Sequence, residues 1–149
     1  LRSDVFFFIV GDGPLMKTIR EKMPGDISHF AGRLEYGLMP MAMNSIDVLV
    51  VPSRQEGFGT VILEARACGA RVVGTNVGGI PEAVEDQGIV VQDYEAFEPE
   101  IAKAIVDLLC NSSCGHYSNE FELKWSWQSN VVNEVETYTQ IFKERSSND

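Results

Sequence analysis

The sequence lacks two features that would point to a membrane or to nucleic acid. No apolar stretch approaches the roughly 20 residues that a membrane-spanning helix needs, and the first residues carry no signal-peptide pattern. Basic residues are also scarce, because 12 Lys and Arg stand against 22 Asp and Glu and leave a formal net charge of −10. This charge argues against nucleic acid or an anionic membrane as the main partner, so an anionic ligand must bind through local features.

Cysteine is scarce as well, with three residues in a chain of 149. Three thiols cannot all pair with one another, so we expect free thiols in a reducing compartment and a cytoplasmic protein. Cys110, Cys114 and His116 lie close together in the sequence, but a structural zinc site usually has four ligands. We therefore predict no metal site, and we predict no bound cofactor.

Apolar runs alternate with helical patterns along the chain. We predict strands at residues 5–10, 27–30, 46–51, 71–75 and 88–91. The first run shows no polar alternation, which is typical of a parallel strand covered on both faces. We predict helices at residues 15–23 and 36–45, between Gly59 and Gly69, from Pro81 onwards, and at residues 97–110 and 127–143.

This order of elements indicates an α/β fold with a doubly wound, mostly parallel, Rossmann-like sheet in one domain over residues 1–149. The chain has no initiator Met and starts directly before a strand, so we expect it to be a fragment. In such folds ligands bind at the carboxyl ends of the strands. We therefore expect the loops at residues 11–14, 31–34, 53–59 and 76–81 to converge on one site.

Glu56 and Glu64 flank a glycine-containing loop and the start of a helix. The neighbours of Glu64 are nearly all apolar, so we expect its helix to be buried, and no cation lies three or four positions away from it. A buried carboxylate needs hydrogen-bond donors, and its two oxygens match the vicinal hydroxyls of a ribose. A distant arginine or backbone amides remain an alternative source of those donors.

The helix start between the two acids exposes four backbone amides, those of Gly57, Phe58, Gly59 and Thr60. These donors and the positive end of the helix dipole suit a diphosphate. A ribose at Glu64, a diphosphate at the amides and sugar hydroxyls at Glu56 together describe a nucleotide-diphospho-sugar. Paired carboxylates also occur in glycosidases, but a phosphate site between them would then have no purpose.

Two pairs of glycines follow other predicted strands. Gly11 and Gly13 match part of a dinucleotide-binding fingerprint, but Met16 occupies the place of its third glycine. We interpret this pair as a tight backbone turn beside the ligand. Gly78 and Gly79 either serve the same purpose or form a plain structural turn.

Taken in order, the motifs resemble a known family over nearly the whole chain. They are Ile9-Val10-Gly11-Asp12-Gly13-Pro14, Phe30-Ala31-Gly32, Asp47-Val48, Pro52-Ser53, Glu56-Gly57-Phe58-Gly59, Glu64-Ala65, Gly69, Val72-Val73 and Gly78-Gly79-Ile80-Pro81-Glu82. Together they are similar to the C-terminal, donor-binding half of the GT-B retaining glycosyltransferases of family 4. Phe121, Trp127 and Tyr138 resemble the aromatic residues of that family's closing segment.

The resemblance implies roles for the residues around the helix start. Glu64 would bind the ribose hydroxyls of the donor nucleotide. Glu56 would contact the transferred sugar, as electrostatic support and not as an established nucleophile. The amides of Gly57, Phe58 and Gly59 would lie against the sugar and the phosphates.

The resemblance also implies a reaction and contacts from the first part of the chain. Gly11 would line the glycine loop near the donor, and the backbone around Arg33 and Leu34 would hold the base. The family transfers a hexosyl group with retention of configuration and without a metal-binding acidic motif. The departing diphosphate would help to deprotonate the acceptor on the same face.

Two departures from the family pattern affect the prediction. Arg71 replaces the proline that usually precedes the Val72-Val73 strand, and we expect a structural effect only. The family's phosphate-binding Arg and Lys, and its whole acceptor domain, lie upstream of the first strand. We therefore expect this chain to act only with an N-terminal acceptor-binding domain of the same protein, through which a peripheral membrane association stays open.

Two other functions remain open on the sequence alone. One is a nucleotide or nucleotide-sugar binding module without catalytic activity, and the other is a dinucleotide domain of the dehydrogenase type, which the incomplete fingerprint disfavours. The residues do not identify the base, the sugar, the acceptor or the oligomeric state.

Overall fold

The computed structural model describes residues 4–92, 97–110, 122 and 124–146. The chain divides into two compact units, residues 1–46 and residues 47–149, and each unit is described by itself. Cys114 and His116, which the sequence analysis considered as metal ligands, lie outside the described residues.

The first unit contains a pair of parallel strands, β1 (Phe7–Val10) and β2 (Ser28–Gly32), which align Phe7 with Ser28 and Ile9 with Phe30. Helix α1 (Met16–Lys22) connects them, and a 3-10 turn (Tyr36–Leu38) leads into α2 (Met39–Asn44). The expectation that β1 is covered on both faces is wrong, because Phe7 and Val10 are exposed and α1 buries none of its residues.

The methionines of helix α2 do not all fill the core. As flexible apolar side chains, Met39, Met41 and Met43 are predicted to be core residues, and Met43 is indeed 5% exposed, with Met39 half-buried. Met41 is 67% exposed, because positions four apart share a face of a helix and Met41 lies on the opposite side from Met39 and Met43.

The second unit is built on a parallel sheet of β3 (Val48–Val51), β4 (Arg71–Thr75) and β5 (Gly88–Val91), in that order. Its helices are α3 (Thr60–Ala67), α4 (Ile80–Val84), α5 (Phe97–Cys110) and α6 (Trp127–Ser146). The bounds of β4, β5 and α5 are those predicted, and the α/β architecture with parallel strands is confirmed. The strands form two sheets, of two and three strands, and the assignment of residues 1–149 to one domain stays a prediction.

Helices cover both faces of the three-stranded sheet. On one face α3 and α4 bury Ile62, Ile80 and Val84 against Val51 and Val72 of the strands. On the other face α5 buries Ala104 against residues of β4 and β5. This doubly wound packing leaves the loops at the carboxyl ends of β3 and β4 as the place where side chains and backbone are free to meet a ligand.

The last helix, α6, extends three residues beyond its predicted end, to Ser146. Among the described residues, no helix combines the length and the apolar character that would let it span a bilayer.

Candidate functional site

The loop that follows β3 holds the Glu56 side chain in a defined position. The Gly57 backbone N–H donates to Glu56 Oε1 at 3.1 Å, and the Ser53 hydroxyl donates to Glu56 Oε2 at 3.4 Å. Glu56 is half-buried, and each carboxylate oxygen keeps further acceptor capacity. The loop therefore presents an oriented acceptor for hydroxyl groups.

Two hydrogen bonds tie this loop to the segment that follows β4. The Thr75 hydroxyl, fully buried, donates to the Ser53 carbonyl oxygen at 2.6 Å. The Gly79 N–H donates to the Gly57 carbonyl oxygen at 2.8 Å. The backbone on both sides of Glu56 is thus fixed by the neighbouring strand end.

Gly78 and Gly79 allow the two segments to approach each other. Gly78 has φ +54°, and a Cβ atom there would overlap the Glu56 carbonyl oxygen. A Cβ atom on Gly79 would lie 2.7 Å from Phe58 Cδ2. Both glycines contact the loop after β3, so the structure supports the structural-turn alternative for this pair.

Helix α3 begins directly at this loop. Its N-cap is Gly59, in the left-handed conformation at φ +78°, with no side-chain cap and no acidic residue in the first turn. The Ile62 N–H donates to the Gly59 carbonyl oxygen at 2.8 Å. Of the four amides that the sequence predicts to be exposed, that of Gly57 is engaged, because it donates to Glu56. Within the described chain, no bond engages the amides of Phe58, Gly59 or Thr60, which leaves donors at the positive end of the helix dipole.

An open pocket of about 460 Å³ adjoins the loop, lined by Gln55, Glu56, Gly57 and Val77. The sequence analysis did not select Gln55 or Val77 as site residues. Their only sequence signal is that each lies in a loop at the carboxyl end of a strand, which selects a loop but not the residue within it.

The expectation that Glu64 is buried is wrong. Glu64 is exposed, and the buried stripe of α3 consists of Ile62, Ala65 and Arg66. The i, i+3, i+4 spacing of that stripe turns Glu64 away from the core, whatever the character of its neighbours in sequence. Glu64 thus needs no buried donors, and its contact with a ribose stays a prediction that the resemblance implies.

The buried charge on α3 is the one carried by Arg66. Its side chain is 6% exposed and donates to the Ala83 carbonyl oxygen at 2.6 Å and to Glu85 Oε2 at 2.9 Å. Lys124 pairs with the other oxygen of the same carboxylate. Burial raises the pKa of Glu85, but hydrogen bonds from Lys124 and Arg66, and their charges, outweigh it and lower that pKa.

An aromatic pair connects the loop to the segment just before the last helix. The rings of Phe58 and Trp125 lie with their centroids 5.3 Å apart and inclined at 51°. The sequence analysis named Trp127 as an aromatic residue of the closing segment, but Trp127 is 87% exposed and Trp125 makes the contact. Phe121, named with it, lies outside the described residues.

The other predicted site residues belong to the first unit. Gly11, at φ +118°, donates its N–H to the Gly32 carbonyl oxygen at 2.7 Å, and the Gly13 N–H donates to Asp12 Oδ1 at 2.8 Å. Arg33 is exposed and Leu34 is half-buried. Their expected convergence with the loop after β3 stays a prediction.

Within the described ranges, no three His, Cys, Asp or Glu side chains form a group that could hold a metal ion.

Residues 1–111 match a family model described as Glycosyl transferases group 1. The chain is also 33% identical over 141 residues to the GDP-mannose-dependent monoacylated alpha-(1-6)-phosphatidylinositol monomannoside mannosyltransferase of Corynebacterium glutamicum. That match covers 85% of this chain and 37% of the relative. The chain spans about two fifths of the length of the first curated relatives that it matches.

Two solved structures share the fold at 27% sequence identity. Sucrose-phosphate synthase from Thermosynechococcus elongatus superposes with a TM-score of 0.65, and the match covers 92% of this chain and 38% of the synthase. HepE from Anabaena, solved in complex with UDP-glucose, superposes with a TM-score of 0.58 over 72% of this chain and 33% of its own.

Proposed function

Since this chain belongs to the group 1 glycosyltransferases and shares the fold of the C-terminal half of a GT-B enzyme, we propose that it binds a nucleotide-diphospho-sugar. In the intact protein it transfers the hexosyl group of that donor to an acceptor with retention of configuration. One observation carries the proposal: the fixed Glu56 carboxylate lies beside the unengaged amides at the start of α3 and lines an open pocket.

The diphosphate binds at the start of α3. The amides of Phe58, Gly59 and Thr60 donate to its oxygens, and the helix dipole favours its charge. This assignment explains how a chain of net charge −10 accepts an anionic ligand, because the favourable field is local. The leaving diphosphate is stabilised by these groups, and the proposal requires no metal ion and no cofactor.

The sugar binds in the pocket beside Glu56. The Gly57 amide and the Ser53 hydroxyl orient the carboxylate, whose remaining lone pairs accept hydroxyl groups of the hexose. Its negative charge supports the positive charge that develops on the sugar ring during transfer. The bond between the anomeric carbon and the diphosphate oxygen breaks, and the acceptor oxygen bonds to that carbon on the same face, which preserves the configuration. The departing diphosphate oxygen takes the acceptor proton.

Two comparisons support a donor of this chemical class. The Corynebacterium relative is named as dependent on GDP-mannose, and the Anabaena structure holds UDP-glucose. Both are nucleotide-diphospho-sugars, but they differ in base and in sugar, so we propose this class of donor and not an individual compound.

The remaining contacts of the donor are proposed for residues outside the loop. Glu64 binds the ribose, Gly11 and Gly13 turn the backbone near the donor, and the backbone at Arg33 and Leu34 holds the base.

The proposal also includes a partner domain. An acceptor-binding domain N-terminal to this chain in the same protein supplies the acceptor and completes the site, in keeping with relatives of more than twice this length. The intact protein acts in the cytoplasm.

Titration calorimetry of the chain with UDP, GDP, ADP and NAD tests the proposed function. We expect at least one nucleoside diphosphate to bind and to compete with the corresponding nucleotide-sugar, and we expect NAD not to bind. Binding of NAD alone would contradict the assignment and favour a dinucleotide domain.

The Glu64→Ala variant tests the ribose contact in the same assay. Hydrogen bonds to a charged group contribute about 1.5–3 kcal/mol, so the affinity for the nucleotide is expected to fall about ten- to hundredfold. Glu98→Ala is the matched control, because it removes an exposed carboxylate from α5, on the opposite face of the sheet. Unchanged affinity of the Glu64→Ala variant would count heavily against the assignment.

A further inference from the structure

Phe58, in the middle of the proposed diphosphate loop, is enclosed by protein on two sides. Its ring contacts the Gly79 position on one side, where an added Cβ would lie 2.7 Å from Cδ2, and Trp125 on the other. It also packs against the buried cluster that includes Ile62 and Ile80. The direction of the amides on either side of Phe58 therefore depends on where its ring is held.

Trp125 is held in place by the contact of its ring with Phe58 and by Lys124, its neighbour in sequence. Within the described part of the chain, its indole N–H is buried and donates to no acceptor. The Lys124 ammonium lies 5.1 Å from the centroid of the Trp125 ring and also pairs with Glu85. The position of the indole thus rests on the Phe58 contact and on the anchoring of Lys124.

The anchor of Lys124 leads back to the helix that starts at the loop. Glu85 follows the last residue of α4 and has a positive φ of +49°, which is uncommon outside glycine, and it pairs with both Lys124 and the buried Arg66. Arg66 is six residues beyond Thr60 on α3, about 9 Å along the axis. Residues 124 and 125 are therefore connected to both ends of α3. Trp125 contacts Phe58 in the loop before the helix, and Lys124 pairs with Glu85, which pairs with Arg66 near the end of the helix.

We propose that Trp125 is a positioning residue for donor binding: it holds Phe58, and through it the amides of the diphosphate loop, while the Lys124–Glu85–Arg66 ion pairs hold Trp125. This inference rests on the proposed function, because it assigns the diphosphate to that loop. In this proposal Trp125 does not touch the nucleotide-sugar and acts only through Phe58.

The tryptophan content of the chain allows a direct optical test. The chain has two tryptophans, Trp125 against the loop and Trp127, which is 87% exposed. The Trp127→Phe variant reports on Trp125 alone, and the Trp125→Phe variant reports on Trp127 alone. We expect emission at shorter wavelength from the Trp127→Phe variant, and a change in that emission when the nucleoside diphosphate that binds the wild type is added. The Trp125→Phe variant is expected to show no such change.

The affinity of three variants separates positioning from general packing. Trp125→Phe keeps an aromatic ring against Phe58, so calorimetry is expected to give the affinity of the wild type. Trp125→Ala removes the ring, and the affinity is expected to fall about three- to tenfold, as the loss of one aromatic pair predicts. Trp127→Ala, which removes an exposed ring from α6, is expected to bind as the wild type does.

The outcomes distinguish this inference from the proposed function. If calorimetry shows nucleotide binding to the wild type but the Trp127→Phe emission does not respond, or if Trp125→Ala binds with full affinity, the positioning role is wrong and the proposed function stands. If no nucleoside diphosphate binds to the wild type, both are wrong. The optical test uses only Phe substitutions, so it decides the question even where Trp125→Ala does not fold.

Discussion

Thr75 at the end of β4 donates a 2.6 Å hydrogen bond to the carbonyl oxygen of Ser53, the second residue after β3. The bond joins two adjacent parallel strands beyond the last residues of their ladder, where the chain would otherwise separate into independent loops. The Ser53 hydroxyl in turn donates to Glu56. Ser53 therefore connects the buried Thr75 hydroxyl to the proposed sugar-binding carboxylate through two hydrogen bonds. The site and the core are therefore continuous at this point.

Replacement of Thr75 by Val tests this connection. The methyl group fills the space of the hydroxyl, but the Ser53 carbonyl oxygen loses its donor, so the free energy of unfolding is expected to fall by about 1–3 kcal/mol. Urea denaturation followed by tryptophan emission measures the change. Thr137→Val is the matched control, since Thr137 is exposed on α6 and its hydroxyl bonds only within that helix. Equal stability of the two variants would show that the Thr75 bond contributes nothing.

Replacement of Gly78 by Ala tests the close approach of the two loops. The added Cβ overlaps the Glu56 carbonyl oxygen, and the left-handed backbone at φ +54° disfavours any side chain. The strain alone costs about 1–3 kcal/mol, so the unfolding free energy is expected to fall by at least that amount. Gly57→Ala provides the control for stability, because nothing lies within 4 Å of its added Cβ. A Gly78→Ala variant as stable as Gly57→Ala would contradict the contact.

The Glu85 carboxylate predicts a pH dependence of stability. Hydrogen bonds from Lys124 and Arg66 lower its pKa below the ordinary value of 4.5, despite the opposing effect of burial. Its stabilisation is therefore complete above that ordinary value and is lost as the pH falls through the lower pKa of the folded state. Unfolding by urea at a series of pH values should show Glu85→Gln less stable than wild type near neutral pH, with the difference shrinking in acid. Glu98→Gln, with an exposed carboxylate removed from α5, controls for the change in net charge. A difference that stays constant into acid would exclude the ion pairs as its cause.

Replacement of Glu56 by Gln separates the sugar contact from the diphosphate contact. The amide keeps the size of the side chain but loses the charge, so the nucleoside diphosphate is expected to bind as tightly as to wild type. The nucleotide-sugar is expected to bind about tenfold or more weakly, because a charged hydrogen bond to a sugar hydroxyl is lost. Calorimetry with both ligands makes the nucleotide its own control. Equal weakening of the two would place Glu56 at the phosphates.

The elements with the clearest pattern were the ones predicted best from the sequence. The bounds of β4, β5 and α5 are correct because each strand is a short apolar run bounded by glycine or polar residues and α5 is an amphipathic helix. A strand, a glycine-containing loop and a helix start follow one another directly, which predicts a site at residues 53–59, and a pocket adjoins that loop in the structure.

The burial of Glu64 and the contact of Trp125 were not predictable in the same way. Apolar neighbours in sequence made Glu64 look buried, but which face of α3 turns inward depends on the sheet beneath it, and that face carries Arg66. The partner of Phe58 depends on how the segment before the last helix packs, and Trp125 and Trp127 are indistinguishable in sequence at that spacing. Both features depend on long-range packing, which local pattern does not contain.

Because Gly78 packs closely against Glu56, the residues around the pocket fall into two groups, those that fix the backbone and those that only line the opening. Gly78, Gly79 and Thr75 fix the backbone through contacts that admit almost no replacement, whereas the side chains of Gln55 and Val77 line the opening and take no part in those contacts. Substitutions at positions 55 and 77 can therefore reshape the cavity without shifting the loop that binds the donor. A library confined to these two positions is the economical route to a changed sugar preference, because it leaves the fold, the diphosphate contacts and Glu56 as they are.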